Sequence, residues 1–474
     1  MLQLEPAQRE QLWSALIDVM ETYNRDVDAL PVTPQVTATK LRQRLQRFDF
    51  QVPCDPLAAL DFVAQELRQA QLHTPHPGYF GLFNPAPTTM GIVADALVAA
   101  FNPQLATWVH SPFAIEAERH VIHQVGQRFG YTSDQIEGTF ASGGAEANHT
   151  AVLTALAARF ADYLKHGMRT LTGQPTMYIS SEGHHSFLKA ARLCGIGSAA
   201  VREIPVDGQF RLRTDRLQQQ LEQDKRNGYL PFMVVGTAGT TSGGIIDPLA
   251  DLAEVARKEK LWFHVDAAWG GAAVLVPELR PHLTGIEMAD SITFDAHKWL
   301  SVPMGGAMYL TRRRGILEQT FRVAATYMPD AAPIEERTDP YATSIQWSRR
   351  FIGLKVFLSL AVAGWDGYAA ALRHMTAMGH ELRSRLGSDG WRLVNQTPLP
   401  VVCFTTHDLP RGPAGKQLLE KWTEQLLALG KSWISVTVLG GDLPVLRACI
   451  TNFRTQVSDL QNLIEGLRQV RSMR

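Results

Sequence analysis

The chain has 474 residues, 45% hydrophobic and 19% charged, which excludes a disordered polypeptide and calls for more than one core. Its 46 basic residues balance 46 acidic ones, so no field of one sign advertises a nucleic acid or an anionic membrane as partner. Cysteines at 54, 194, 403 and 449 form no CxxC and no metal-type spacing; they suit free thiols in a reducing, cytoplasmic setting, and no metal site is expected.

Residues 1–90 read as a helical N-terminal segment with Pro-marked breaks. Glu5, Arg9 and Glu10 interrupt its start as an amphipathic helix would, not as a signal peptide. Leu57, Leu60, Phe62, Val63 and Leu67 recur at helical spacing. The stretch from His76 to Pro85 is too punctuated for a regular element, and reads either as a buried connector or as one wall of a ligand site. The apolar run Met90 to Phe101 carries Asp95 and is too short to span a membrane.

Residues 91–370 form the expected large domain. Strands are predicted at Thr176–Ile179, Phe232–Gly236, Trp262–Val265, Ser291–Phe294 and Ala307–Thr311, with helices over 146–165, 185–194, 212–224 and 248–260. Unbroken apolar strands alternating with helices define an α/β class with a mostly parallel sheet covered on both faces. Residues 371–474 have the pattern of a smaller α+β domain, with helices at 371–386 and 415–430, a strand near 434–439 and a last helix from about 456.

Four short constellations follow predicted strands, where open α/β sheets place ligands. Ser142-Gly143-Gly144-Ala145-Glu146-Ala147-Asn148 leads into a helix, and its small residues let an anion reach free backbone N–H groups; a plain helix cap would read the same. Asp266 ends a strand before Ala267 and Ala268, poised on a bound group or simply solvated. Lys298, in Asp295-Ala296-His297-Lys298-Trp299, is a candidate amine for imine chemistry or a turn lysine. His184 and His185 offer a planar ring for stacking. His264 reads equally well as a satisfied core histidine. An anion cradle, a carboxylate, an amine and a flat side chain are together what pyridoxal 5'-phosphate requires.

The whole chain resembles the group II pyridoxal-phosphate amino-acid decarboxylases, a fold-type-I family that includes the aromatic-L-amino-acid, histidine, glutamate and diaminobutyrate enzymes. His297-Lys298-Trp299 matches its hallmark, His264 to Ala268 its His-Val-Asp-Ala-Ala, and Ser142 to Asn148 its small-residue segment. The resemblance implies that Lys298 binds the cofactor covalently and that Asp266 pairs with its ring nitrogen. His184, or His185 one residue away, would stack on the ring. Gly144 and Ala145 would hold the phosphate, with Ser291, His297 and Thr237 or Thr240 as further contacts. It also implies a mobile loop in which Tyr327 returns a proton after CO2 departs.

For the substrate, an L-amino acid, the resemblance points to Tyr79 and Phe80 as pocket residues and to Trp108 and Phe113 as contributions across a homodimer interface. These four residues favour an aromatic substrate. Ser348 stands where aromatic and histidine enzymes differ, and serine there is compatible with histidine as substrate. An acidic or diamino acid, another fold-type-I reaction such as transamination or carbon–carbon cleavage, and a non-catalytic cofactor-binding homologue are the alternatives. Arg349 and Arg350 are the candidate clamp for an acidic side chain, or a structural pair.

Overall fold

The computed structural model describes residues 2–34, 36–323 and 338–472. Among these the strands form three sheets. β1 (Gln104–Leu105) pairs antiparallel with β9 (Arg349–Arg350) as a short ribbon. The large sheet contains β2 (Glu137–Ala141), β3 (Pro175–Ser180), β4 (Val201–Ile204), β5 (Leu230–Thr237), β6 (Trp262–Asp266), β7 (Ser291–Asp295) and β8 (Ala307–Thr311), in the spatial order β2-β8-β7-β6-β5-β3-β4. The small sheet is antiparallel throughout, β10 (Arg392–Leu393) beside β11 (Val401–Thr405), then β13 (Leu443–Cys449) and β12 (Ser435–Leu439).

The run β7-β6-β5-β3-β4 is parallel, as the alternation of strand and helix predicts. β8 departs from it, running antiparallel to both β7 and β2. Residues 296–306 supply no helix between β7 and β8, whereas a parallel return needs a crossover of a dozen or more residues. Both faces of the sheet are covered. Met177, Ile179, Met233 and Val235 point into one core, while Tyr178, Val234, Phe263 and Val265 point into the other. The helix Gly144–Arg159 lies on the first face, where the small buried Ala147, Ala151 and Ala155 let it approach the strands.

The predicted N-terminal helices are present at Pro6–Asp26, Ala38–Leu45 and Pro56–Gln69. The last is started by Pro56 in its first turn and by the Asp55 carboxylate, which accepts from Ala58 N–H. The helix Leu354–Ser388 is broken at Gly364, whose φ of 64° lies in the left-handed region. Its second half joins Gly412–Ala428 and Val457–Ser472 in covering the small sheet over Trp391, Phe404, Trp422 and Leu463. No helix among the described residues is long and apolar enough to cross a membrane.

Arg349 and Glu118 make a buried ion pair, Nη2 to Oε2 2.6 Å, with both side chains under 5% exposed. Glu118 Oε1 also accepts from Gly353 N–H. Among the described residues Glu118 Oε2 and the Nε and Nη1 of Arg349 have no hydrogen-bond partner, so the pair rests on charge and the Gly353 bond. Glu118→Ala therefore strands an uncompensated guanidinium and is expected to destabilise the protein by about 3 kcal/mol, read as a lowered urea midpoint. Arg350 reaches Asp95. Arg349 is thereby taken up inside the protein, whereas the Arg350 side chain is about half exposed.

Candidate active site

The site forms where the C-terminal ends of β5, β6 and β7 meet the start of the Gly144–Arg159 helix, the usual ligand position in an open α/β sheet. Register places Thr237 beside Asp266 and Asp266 beside Thr293. Two backbone bonds lock the following loops together, Asp295 N–H to Ala268 O (2.9 Å) and Ala267 N–H to Thr293 O (3.0 Å). The carboxylate of Asp266 and the amine of Lys298 are thereby carried on rigid strand ends.

Lys298 Nζ lies 2.9 Å from Asp295 Oδ2, and Asp295 is 1% exposed with Oδ1 unpartnered. Asp295 can approach the helix start because residue 144 is glycine; a Cβ there would sit 2.7 Å from Asp295 Oδ2. No side chain caps that helix end through its N-cap residue Gly143. Gly144 is half-buried and Ala145 exposed, so the first turn faces an open space. His297 stands close by, its Nε2 3.8 Å from Asp295 Oδ2 and its Nδ1 accepting from Gly306 N–H. Burial holds the His297 pKa below its ordinary value, against the pull of Asp295.

Asp266 is 5% exposed and accepts from Asn148 Nδ2 (3.0 Å) and Ala268 N–H (3.2 Å). His184 joins the same group. Its Nδ1 lies 2.8 Å from Ser186 Oγ, which also accepts from Asn148 Nδ2 at 2.9 Å. The outer edge of the ring is open to solvent, yet protein packed on its inner side excludes water and pushes its pKa down, while Asp266 pulls upward and Lys298 downward. His185 is the N-cap residue of the helix Ser186–Leu193.

His264 is fully buried beneath Asp266, and burial pushes its imidazole down to about 4. An unfolded chain takes up this proton near pH 6.5, whereas the fold refuses it until about pH 4. The penalty is therefore absent above pH 6.5 and grows as pH falls through that window. The stability advantage of wild type over His264→Gln should shrink by roughly 2 kcal/mol between pH 7 and pH 5, measurable as converging urea midpoints.

Several expected contacts are not brought to this centre. Ser291 stands at the opposite end of β7 from Asp295, and its Oγ is engaged by Trp262 Nε1 and His264 Nδ1, both at 2.8 Å, so it faces the interior and not a phosphate. Thr240 Oγ1 accepts from Gly243 and Ile245 N–H and shapes its own turn. Tyr79 packs on Trp433, centroids 5.0 Å apart, and Phe80 is fully buried in the small-sheet core, so the buried-connector reading holds for both. Phe83, three residues on, makes the aromatic link instead. It stacks on Trp269 at 4.5 Å, and Trp269 meets Trp299 next to Lys298.

Trp108 is held by Asp339 and Glu116, Phe113 is 68% exposed against Phe351, and Ser348 is exposed before β9. None of these three lines the cluster within one chain. Tyr327 lies outside the described residues. Asn148, Ser186 and Asp295 are the participants to which the sequence assigned no role, although each lies within or beside a motif that carries the resemblance.

The cluster fits pyridoxal phosphate on its own chemistry: an uncapped helix start, a glycine where a Cβ would intrude, an amine 24% exposed, and a buried carboxylate. Comparison with known proteins agrees. The pyridoxal-dependent decarboxylase conserved domain matches residues 42–407, and the chain belongs to that family. It is a fold-type-I, pyridoxal-phosphate-dependent amino-acid decarboxylase.

The chain is 29% identical to an aromatic-L-amino-acid decarboxylase of Bacillus atrophaeus, covering 98% of this chain and 96% of the relative. It is 30% identical over 334 residues to an acidic amino acid decarboxylase of Xenopus tropicalis, covering 70% and 65%. The structure of an Oryza sativa TDC with PLP and tryptamine superposes with a TM-score of 0.91 at 25% identity, covering 100% of this chain and 99% of the other.

Proposed function

We propose that this decarboxylase acts on an aromatic L-amino acid, releasing CO2 and the corresponding aromatic amine. The observation that carries the preference is the buried engagement of Arg349 by Glu118, which takes the inward-facing arginine of this pair away from an acidic side chain and leaves only Arg350, exposed and 3.6 Å from Asp95. The aromatic substrate named for the Bacillus relative supports it. The acidic-substrate relative makes the alternative concrete.

When bound, pyridoxal phosphate supplies an electron sink for the pair left on Cα as CO2 departs. Gly144 and Ala145 would present backbone N–H groups to its phosphate, Lys298 would hold its aldehyde carbon, and Thr237 would sit alongside. The Asp266 carboxylate would keep a proton at the ring nitrogen, since a paired anion favours the charged pyridinium. His184, held through Nδ1 by Ser186, would pack against the ring. Lys298 Nζ holds and moves the proton needed to accept substrate amine and release product. Tyr327 is assigned the proton donor to Cα.

The protein is further proposed to act as a cytoplasmic homodimer with its sites at the interface. Exposed Trp13, Ile17, Phe101 and Phe113 support a covered apolar surface that delivers Phe113 and Trp108 to the partner's pocket. Free cysteines, three of the four buried, support a reducing compartment. The test is competition between phenylalanine, tyrosine, tryptophan, glutamate, cysteine sulfinate and diaminobutyrate for the loaded enzyme. An aromatic amine dominating the products is expected. A product from glutamate or cysteine sulfinate alone would contradict the substrate reading while leaving the reaction intact.

A further inference from the structure

We propose that Asn148 is a positioning residue that sets which ring nitrogen of both His184 and His264 carries the proton and thereby holds Asp266 in one orientation toward the cofactor; this rests on the reading of Asp266 as the partner of the ring nitrogen.

Asn148 is 1% exposed and uses all four of its hydrogen-bonding positions. Nδ2 donates to Asp266 Oδ2 (3.0 Å) and Ser186 Oγ (2.9 Å). Oδ1 receives Thr293 Oγ1 (2.7 Å) and His264 Nε2 (3.2 Å). The orientation of the amide is not arbitrary. A carboxylate oxygen only accepts, so the atom facing Asp266 must be the NH2 nitrogen, and the oxygen must face Thr293 and His264.

Two consequences run outward from that single choice. His264 must donate to Asn148 Oδ1, so its proton is on Nε2 and its Nδ1 is bare. Nδ1 then takes the Ser291 hydroxyl proton at 2.8 Å, while Ser291 Oγ accepts from the Trp262 indole. Every donor in the series Trp262, Ser291, His264, Asn148 points toward Asp266. Thr293 Oγ1 lies 3.4 Å from His264 Nε2 and shares that proton weakly. On the other side, Ser186 Oγ accepts from Asn148 and so directs its own proton to His184 Nδ1, which also receives Ser186 N–H at 3.2 Å. His184 therefore carries its proton on Nε2.

The charged and titratable groups that face His184 are Asp266, Lys298, His185 and Asp295; the charged group that faces His264 is Asp266. Both rings stay neutral in this arrangement, and among the described residues the only anion hydrogen-bonded to Asn148 is Asp266. Because Asn148 lies one turn into the helix that offers its start to the phosphate, it ties the two ends of the cofactor site together.

Cofactor affinity and the visible absorbance of the Lys298-bound cofactor, followed across pH, test the assignment in the full-length loaded protein. Asn148→Leu should weaken cofactor binding by about 10–100-fold, the effect of losing a hydrogen bond to a charged group, and should make the absorbance pH-dependent where wild type is flat. His264→Leu should reproduce that defect. His264→Gln, which restores a donor toward Asn148, should return affinity to within about threefold of wild type, a rescue that loss of packing alone would not give. His264→Leu and His264→Gln behaving alike, or Asn148→Leu matching wild type in affinity and spectrum, would overturn the assignment. Should Asn148→Leu not fold, the two His264 variants decide alone. A wild type that joins no cofactor to Lys298 would instead overturn the functional reading beneath it.

Discussion

Lys298→Ala is expected to lower kcat by roughly 10⁴-fold, the upper end of what a positioned proton-transfer group contributes, and to abolish the absorbance of covalently held cofactor. Lys298 Nζ is 2.9 Å from Asp295 Oδ2 and is carried on a loop fixed to the Asp266 loop by backbone bonds. Among the described residues Lys355 is not free to substitute, because it is held by Asp95 and by the carbonyls of Pro303 and Met304. The fold should survive, since the side chain is partly exposed and contributes little to the core. Single-turnover kinetics with cofactor supplied in excess separates lost chemistry from lost cofactor. A variant with normal turnover would remove Lys298 from the mechanism.

Asp266→Asn should cost about 10²–10³-fold in kcat, in line with removing one preorganised electrostatic partner of a developing charge, with KM nearly unchanged. The substitution keeps volume and the bond from Asn148 Nδ2, since the amide oxygen can occupy the place of Oδ2, and gives up only the long 3.2 Å bond from Ala268 N–H to Oδ1. What disappears is the negative charge that holds the ring nitrogen protonated. Steady-state kinetics and cofactor affinity together read this out. A fall in affinity with unchanged kcat would mean that Asp266 anchors the cofactor without tuning it.

The catalytic ends of the strands were legible because they obey simple patterns. β6 and β7 are fully buried five-residue strands that each end in an acidic residue, Asp266 and Asp295, and Lys298 follows three residues after the second. The sense of β8 was less visible, because a fully buried strand reads the same in either direction; only the short connection over 296–306 records the reversal. β2, β4, β11 and β13 were missed, as were the two-residue strands β1, β9 and β10. β4 is short, and β13 includes Pro444 and the buried Arg447, neither of which marks a strand by composition.

Within the site, Ser291 was misassigned although strand geometry was available to exclude it: at about 3.3 Å per residue, it lies some four residues short of the strand end. Tyr79 and Phe80 illustrate a different limit. Loop composition marks the 76–85 stretch as aromatic, but without periodicity it does not say which ring faces the site, and Phe83 is the one that reaches Trp269. Asn148 was hidden for a third reason. Its importance comes from partners at Ser186, His264, Asp266 and Thr293, which are distant in sequence and meet only once the strands are in register.

The most direct test follows the carboxyl carbon. The purified protein, loaded with pyridoxal phosphate, is given a mixture of carboxyl-labelled L-amino acids, and labelled gas and products are counted together. The account predicts labelled CO2 in equal amount to a newly formed amine, with both lost in Lys298→Ala. Label retained in an oxo acid would contradict decarboxylation and point to transamination by the same centre.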